Sequence, residues 1–345
     1  MKRYARILSL LLTAALFLVL FNGCSAKQTE GETTGPVTFR LSLVTAIDDP
    51  ITIAAKEFAA NVSERTEGRV TVEVYPANQL GDATAVFDEI IRGTIDMAYA
   101  NPSDNYQPDI YLSYLPCLVT RYEDMPAVFG RDGYLFQETN KLYEQLGLKF
   151  LGYGTVGFLG IGAAKPILDE KNEIIPGALI RTSSDLLSKL TMEGLGFHVS
   201  TMPYVDVFSG LQTGIIDGWL GGNPSINYLS FRDVINYFYY YKIIIENYHF
   251  FCNENNFNKM SKEDQEILLE CANDMLEQSY QDAQRLDEQY LQELSDFGIN
   301  VVEFSDEFLA DMAASVRENV WPQIAADKYS AELIENLEKS LMELQ

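Results

Sequence analysis

One stretch, Leu179 to Tyr228, constrains the fold more than any other. It reads LIRTSSDLLSKLTMEGLGFHVSTMPYVDVFSGLQTGIIDGWLGGNPSINY. A short apolar strand delivers Arg181 to its end. A helix follows, then a second strand that closes at Met202-Pro203. Another helix stops at Gly214, a third strand follows, and a polar turn forms at Gly221-Gly222-Asn223-Pro224. Strands alternating with helices indicate βαβ units and a largely parallel sheet. Each strand exit carries a group able to hold a small anion: a guanidinium, an aromatic and a carboxamide.

The same pattern occurs earlier in the chain. An alternating strand is predicted over 37–45, a helix over 53–65, a strand over 69–75, a helix over 83–92 and a strand over 94–100. The two regions share the form F-x5-G-x-I-D, as Phe87 to Asp96 and as Phe208 to Asp217. In each, a helix ends on a glycine suited to the left-handed C-cap and a strand begins. This echo predicts two lobes of similar design, with a boundary near Gly154-Thr155-Val156-Gly157, where glycine offers hinge-like freedom. Further helices are predicted over 123–130 and 133–146, and a strand over 149–153. The apolar, aromatic run Tyr237 to Phe251 is shorter than the roughly 20 residues that span a bilayer. It reads as a buried strand returning from the second lobe to the first. Ser261-x-x-Asp264 resembles a capping box with Asp in place of Glu. It opens a long helix whose apolar stripe runs from Ile267 to Leu294 and which Gly298 stops. Some 35 residues at about 1.5 Å each give roughly 50 Å, enough to brace both lobes. Helices over 306–318 and 330–343 complete the chain.

The ends and totals set the setting. Lys2, Arg3 and Arg6 precede an apolar stretch from Ile7 to Phe21, and Asn22-Gly23-Cys24 closes it. This reads as a signal peptide over 1–23. A small residue before Cys24 resembles a bacterial lipobox, although Phe21 stands where Leu is usual. Cys24 is thus expected to carry a lipid anchor to the outer face of the cell membrane; a plain signal peptide and a periplasmic protein are the alternative. Residues 24–36 suit a polar tether. Loss of residues 1–23 removes three basic residues and no acidic ones, taking the net charge from −25 to −28. So acidic a surface argues against nucleic-acid partners. Cys117, Cys252 and Cys271 lie in apolar surroundings without a CxxC, which favours buried free thiols over a disulfide.

The motifs of catalysis are missing. There is no HExxH, CxxC, GxSxG, P-loop or GxGxxG. The two histidines, His198 and His249, sit in apolar strand patterns and read as structural. No metal or cofactor is expected. Binding is favoured instead, because parallel α/β lobes place ligands at the carboxyl ends of their strands. Arg181 lies at such an end, and a guanidinium fork fits a carboxylate bidentately. A surface salt bridge is the alternative role for it.

Several segments resemble the DctP-type substrate-binding proteins of tripartite ATP-independent periplasmic (TRAP) transporters. They are GRVTVEVYPANQLGD (68–82), IIRGTIDMA (90–98), LGLKFLGYGTVGF (146–158), AKPI (164–167), LIRTSSD (179–185) and MPYVDVFSGLQTGIIDG (202–218). They cover about 37 to 245 in family order. The resemblance implies an α/β, two-lobed, periplasmic-binding-protein-like clamshell (class II type) with a long helix bracing both lobes. It implies lobe I at 37–156 plus 249–285 and lobe II at 157–248 plus 286–345. The implied role is a receptor that closes on a small organic acid and delivers it to the TRAP membrane subunits. A secreted hydrolase or lyase, or a sensory domain on the same fold, is the alternative.

Carried over by position, Arg181 resembles the arginine that pairs with the substrate carboxylate, Asn223 the asparagine of a Glu-Asn-Pro motif, and Tyr204 a pocket aromatic. Phe158 is followed by Leu159, where the family often has a second arginine, and Gly221-Gly222 replaces Gln-Glu with Trp219 just upstream. The pocket is therefore expected to be less basic and more apolar, taking a monocarboxylate; a zwitterion or neutral solute remains open. Asn101, after strand 94–100, and Asp48, in the first loop, are the expected first-lobe contacts.

Overall fold

The computed structural model describes residues 35–103 and 105–343. The signal-peptide stretch, Cys24 and all but the last two residues of the tether lie outside the described residues. Among the described residues eleven strands, numbered in chain order, build two sheets. In the first, β1 (Val37–Ser42), β2 (Val70–Tyr75), β3 (Met97–Ala100), β4 (Leu148–Phe158) and β10 (Ile245–Asn253) take the order β2-β1-β3-β10-β4. In the second, β5 (Ile161–Ala163), β6 (Leu179–Thr182), β7 (His198–Thr201), β8 (Gly218–Leu220), β9 (Tyr237–Tyr240) and β11 (Asn300–Glu303) take the order β11-β9-β5-β8-β6-β7.

The three strands β1, β2 and β3 pair in parallel around β1, and β6, β7 and β8 do so around β6. The sequence echo marks this shared design. Gly93 and Gly214 hold φ of +76° and +73°. Three residues on, an aspartate side chain takes a backbone N–H of the neighbouring strand in both cases. Asp96 accepts from Arg40 and Asp217 from Leu179, each at 2.9 Å.

One expectation is corrected. The run Tyr237 to Phe251 is two strands, not one. β9 belongs to the second sheet and β10 to the first, and Tyr241–Ile244 carries the chain across, with Lys242 at φ +50°. Both halves are apolar because both are interior, so periodicity alone hides the crossing. A second crossing, Leu159–Gly160, links β4 to β5, and the Leu159 N–H donates to Ile244 O at 2.8 Å.

Helix Lys262–Phe297 has 36 residues and packs on β4 and helix Pro50–Arg65 at one end and on β11 at the other. Its cap departs from the predicted box. Ser261 Oγ accepts the Asp264 N–H at 3.1 Å, but the Asp264 carboxylate turns to Arg69 at 2.8 Å and to the Ser261 hydroxyl. The two glycines of the GTVG stretch also allow close approach, of this helix and of Tyr99. A Cβ on Gly157 (φ +118°) would lie 2.6 Å from Asp287 Oδ1, and one on Gly154 would lie 1.7 Å from the Tyr99 hydroxyl. Cys117, Cys252 and Cys271 are buried free thiols, and burial pushes the Cys117 thiol up to about 12. His249 is fully buried between the Ser113 and Tyr143 hydroxyls at 2.9 and 3.0 Å, and burial pushes its pKa down to about 3. It is a neutral structural ring. His198 is exposed.

Candidate functional site

Arg181 stands on β6 opposite Trp219 of β8. It is only 5 % exposed, and its Nε and Nη2 both donate to Met202 O, at 2.8 and 2.6 Å. No ion pair forms to this guanidinium among the described residues, and burial lowers its pKa, with Asp185 opposing that shift. A buried cation without a counter-ion is costly unless a partner arrives. Nη1 and one Nη2 proton remain for a ligand.

Tyr204 opens the turn that follows β7 and is 52 % exposed. Its ring lies 5.9 Å from that of Trp219 and 5.8 Å from that of Phe231. Trp219 is buried beneath it, and its indole N–H donates to Asn227 Oδ1 at 3.1 Å. The indole also accounts for Gly221-Gly222. A Cβ on Gly221 would lie 2.5 Å from the Trp219 ring, and one on Gly222 would lie 3.0 Å from it. Trp219 and the glycine pair are therefore one coupled departure.

Asn223 is buried and structurally committed. Its Oδ1 caps the short helix Pro224–Ile226 by accepting the Ile226 N–H at 3.1 Å. Its Nδ2 donates to Val156 O at 2.5 Å, tying the second sheet's turn to β4. Asn223 also lines a hollow of about 420 Å³ between β4, β10, helix Pro50–Arg65 and the long helix. Asp49, which caps helix Pro50–Arg65, lines it too; Asp48 is exposed and does not.

The other expected residues lie apart from the hollow. Asn101 Nδ2 donates to the Tyr114 hydroxyl at 2.7 Å. Phe158 is fully buried against Tyr122, ring to ring at 4.9 Å, and its N–H donates to Asp287 at 3.1 Å. Leu159 is half-buried in the crossing. Arg181 and Tyr204 stand outside the hollow's wall. Two larger hollows of about 590 Å³ touch none of the expected residues.

Sequence reasoning missed Glu246, Tyr248, Tyr99 and Thr155, all of which line the 420 Å³ hollow. Thr155 Oγ1 donates to Glu246 O at 2.8 Å, and the Tyr99 and Tyr248 rings meet edge to face at 5.8 Å. Burial raises the Glu246 pKa. Tyr204 feels both charges, with burial and Glu246 raising its pKa and Arg181 lowering it. Glu246 had one signal: it is the single acidic residue in the run Tyr237 to Phe251. Among the described residues no group of His, Cys, Asp and Glu is placed to hold a metal, and no helix is long and apolar enough to cross a membrane.

Comparison with known proteins adds to this geometry. The profile described as bacterial extracellular solute-binding protein, family 7 (DctP), matches residues 41–328. The 2,3-diketo-L-gulonate-binding periplasmic protein YiaO of Escherichia coli is 28 % identical over 183 residues, covering 52 % of this chain and 55 % of that protein. The chain spans about half the length of the curated relatives it matches. A TRAP periplasmic solute-binding protein from Ochrobactrum anthropi superposes with a TM-score of 0.81 at 19 % identity, covering 90 % of this chain and 96 % of that one. Another from Chromohalobacter salexigens, with bound D-glucuronate, gives 0.73 at 21 % identity, covering 89 % and 100 %. At these identities the structural likeness carries the fold.

Proposed function

The chain belongs to the DctP family of bacterial extracellular solute-binding proteins, and on that premise we propose that it is a TRAP solute receptor for a small organic acid, a monocarboxylate. The observation that carries the proposal is the buried, unpaired guanidinium of Arg181 at a strand end. It is a fork awaiting a carboxylate, and a lone fork suits one carboxylate better than two. Names among the relatives support the class: 2,3-diketo-L-gulonate for YiaO and D-glucuronate for the Chromohalobacter protein. The family consists of binding proteins, so the chain binds its ligand without turnover.

In this reading Tyr204 covers the ligand from the β7 exit, with Trp219 as its backing. Asn223 holds the turn against β4, and closure proceeds about the crossings 159–160 and 241–244. The lobes take the limits 37–156 plus 249–285 and 157–248 plus 286–345, and TRAP membrane subunits receive the ligand. Net charge repels anions only within about 8–10 Å in physiological salt, so a local cation can prevail at contact. Residues 1–23 act as an export signal, and Cys24 is lipidated. Membrane fractionation of wild type against Cys24→Ala tests the anchor: equal partition of the two proteins removes it.

A thermal-shift screen against organic acids, followed by calorimetry, tests the receptor reading. A saturable acid is expected, and its affinity falls by about 2–5 kcal/mol in Arg181→Ala, as when one partner of a buried pair is lost. Undiminished binding by that variant removes Arg181 from the site.

A further inference from the structure

Both crossings between the sheets are fastened to one side chain of the long helix. Asp287 is 2 % exposed, and a single one of its oxygens, Oδ2, accepts three hydrogen bonds. The Phe158 N–H donates at 3.1 Å from the last residue of β4, where the crossing 159–160 begins. The Tyr240 hydroxyl donates from the last residue of β9, where the crossing 241–244 begins. The Tyr122 hydroxyl donates at 2.6 Å from the segment ahead of helix Met125–Phe129. Hydrogen bonds to a carboxylate are the strong kind, and removing the acceptor leaves buried donors unsatisfied. The contact needs Gly157, because a Cβ there would collide with the Asp287 carboxylate. Beyond it the second crossing carries Lys242 at φ +50°, with Nζ 5.8 Å from the Phe158 ring centre and 5.3 Å from that of Tyr240. A non-glycine residue held in the left-handed region stores strain, and such residues gather at switch points. A hollow of about 590 Å³, lined by Tyr122, Tyr240, Lys242 and Asp287, leaves the crossings room on this side.

From this convergence we infer that Asp287 is the post about which the lobes turn: it pins the near ends of both crossings to the long helix, so that closure is taken up by residues 159–160 and 241–244 beyond it. Asp287 is a positioning residue and does not line the hollow that holds Asn223. The proposed lobe limits divide the long helix at 285–286, immediately before it. Loss of the carboxylate frees the ends of both crossings, and the lobes then swing over a wider range. Loss of the Tyr240 hydroxyl frees one crossing only. The inference rests on the two-lobed receptor reading above, but its test needs no ligand.

Pulsed electron-spin distance measurements test it. Spin labels at Lys56→Cys, on helix Pro50–Arg65, and at Ser209→Cys, on helix Val207–Thr213, report the separation of the lobes. Both positions are exposed, and the thiols of Cys117, Cys252 and Cys271 are buried. In the ligand-free labelled chain, Asp287→Ala is expected to broaden the distance distribution about twofold, and Tyr240→Phe to broaden it less. Amide hydrogen exchange at 159–160 and 241–244 is expected to rise about tenfold or more in Asp287→Ala, while exchange in β1–β3 and β6–β8 stays within about twofold. A purely structural role for Asp287 lowers the melting temperature and leaves the distribution unchanged in both variants, and that result overturns the inference. Exchange that rises equally throughout both sheets overturns it as well, because it marks general loosening. Tyr240→Phe keeps the carboxylate and decides the matter alone should Asp287→Ala fail to fold. Calorimetry with organic acids tests the receptor reading separately, so an unchanged distribution beside saturable acid binding removes the post and keeps the receptor.

Discussion

The units β1–β3 and β6–β8 have the same strand order and the same F-x5-G-x-I-D segment, yet they differ in what that segment packs and in what their strand ends present. The backbone elements agree closely: a left-handed glycine, then an aspartate that takes a neighbouring strand's amide. The side chains diverge. Phe87 is 1 % exposed in the core, while Phe208 is 38 % exposed. The first unit offers Asp49 at its cleft edge, and the second offers Arg181, Tyr204 and Asn223. Backbone demands preserve the echo, and the surroundings of each unit decide its chemistry.

The largest expected effect follows from the two phenylalanines. Phe87→Ala should cost about 3–5 kcal/mol of stability, and Phe208→Ala under about 1 kcal/mol. Equal losses in denaturant titrations would show that the two helices are packed alike. The paired aspartates come next. Asp96 also holds the Asn256 amide at 2.7 Å, whereas the second partner of Asp217 is the exposed Lys165 at 2.8 Å. Each change to Ala should cost about 1–3 kcal/mol, with Asp96 the greater, because more buried partners lose their acceptor. A larger loss at Asp217 would reverse the comparison.

The smallest effect is a matter of pH. Asp287, on the long helix, accepts from the hydroxyls of Tyr122 at 2.6 Å and of Tyr240 and from the Phe158 N–H, joining the helix to the end of β4. Burial raises its pKa to about 7, against the pull of these donors and of Lys242. Because the folded value lies above the unfolded one, the native state holds the extra proton between about pH 4 and 7. The contribution of Asp287 to stability is therefore fully present below about pH 4 and lost as pH rises through about 7. Asp287→Asn should flatten that part of the melting-temperature profile. An unchanged profile would show that Asp287 titrates normally.

The legible parts of the molecule were those set by local rules. Gly93, Gly214 and Gly298 terminate helices as their spacing demands, and the long helix ends where Ser261 and Gly298 put it. The rest depends on distant partners. Asp287 interrupts the apolar stripe of the long helix, and only the Tyr122 and Tyr240 hydroxyls make sense of it. Glu246 looks like one polar residue in a buried strand until the crossing 241–244 turns it toward the cleft. Asp48 and Asp49 differ by one position, and only the helix cap shows which of them reaches the hollow. Phe158 and Leu159 sit at the expected place in the chain, but Phe158 is buried against Tyr122 and neither residue lines the hollow.

The central claim is that the second unit supplies the carboxylate site through Arg181. A crystal structure of the chain with its bound acid tests this most directly. A ligand carboxylate is expected about 2.7–3.2 Å from the Arg181 guanidinium nitrogens, with Tyr204 against the ligand. A ligand whose carboxylate lies away from Arg181, or one seated in a different hollow, would contradict it.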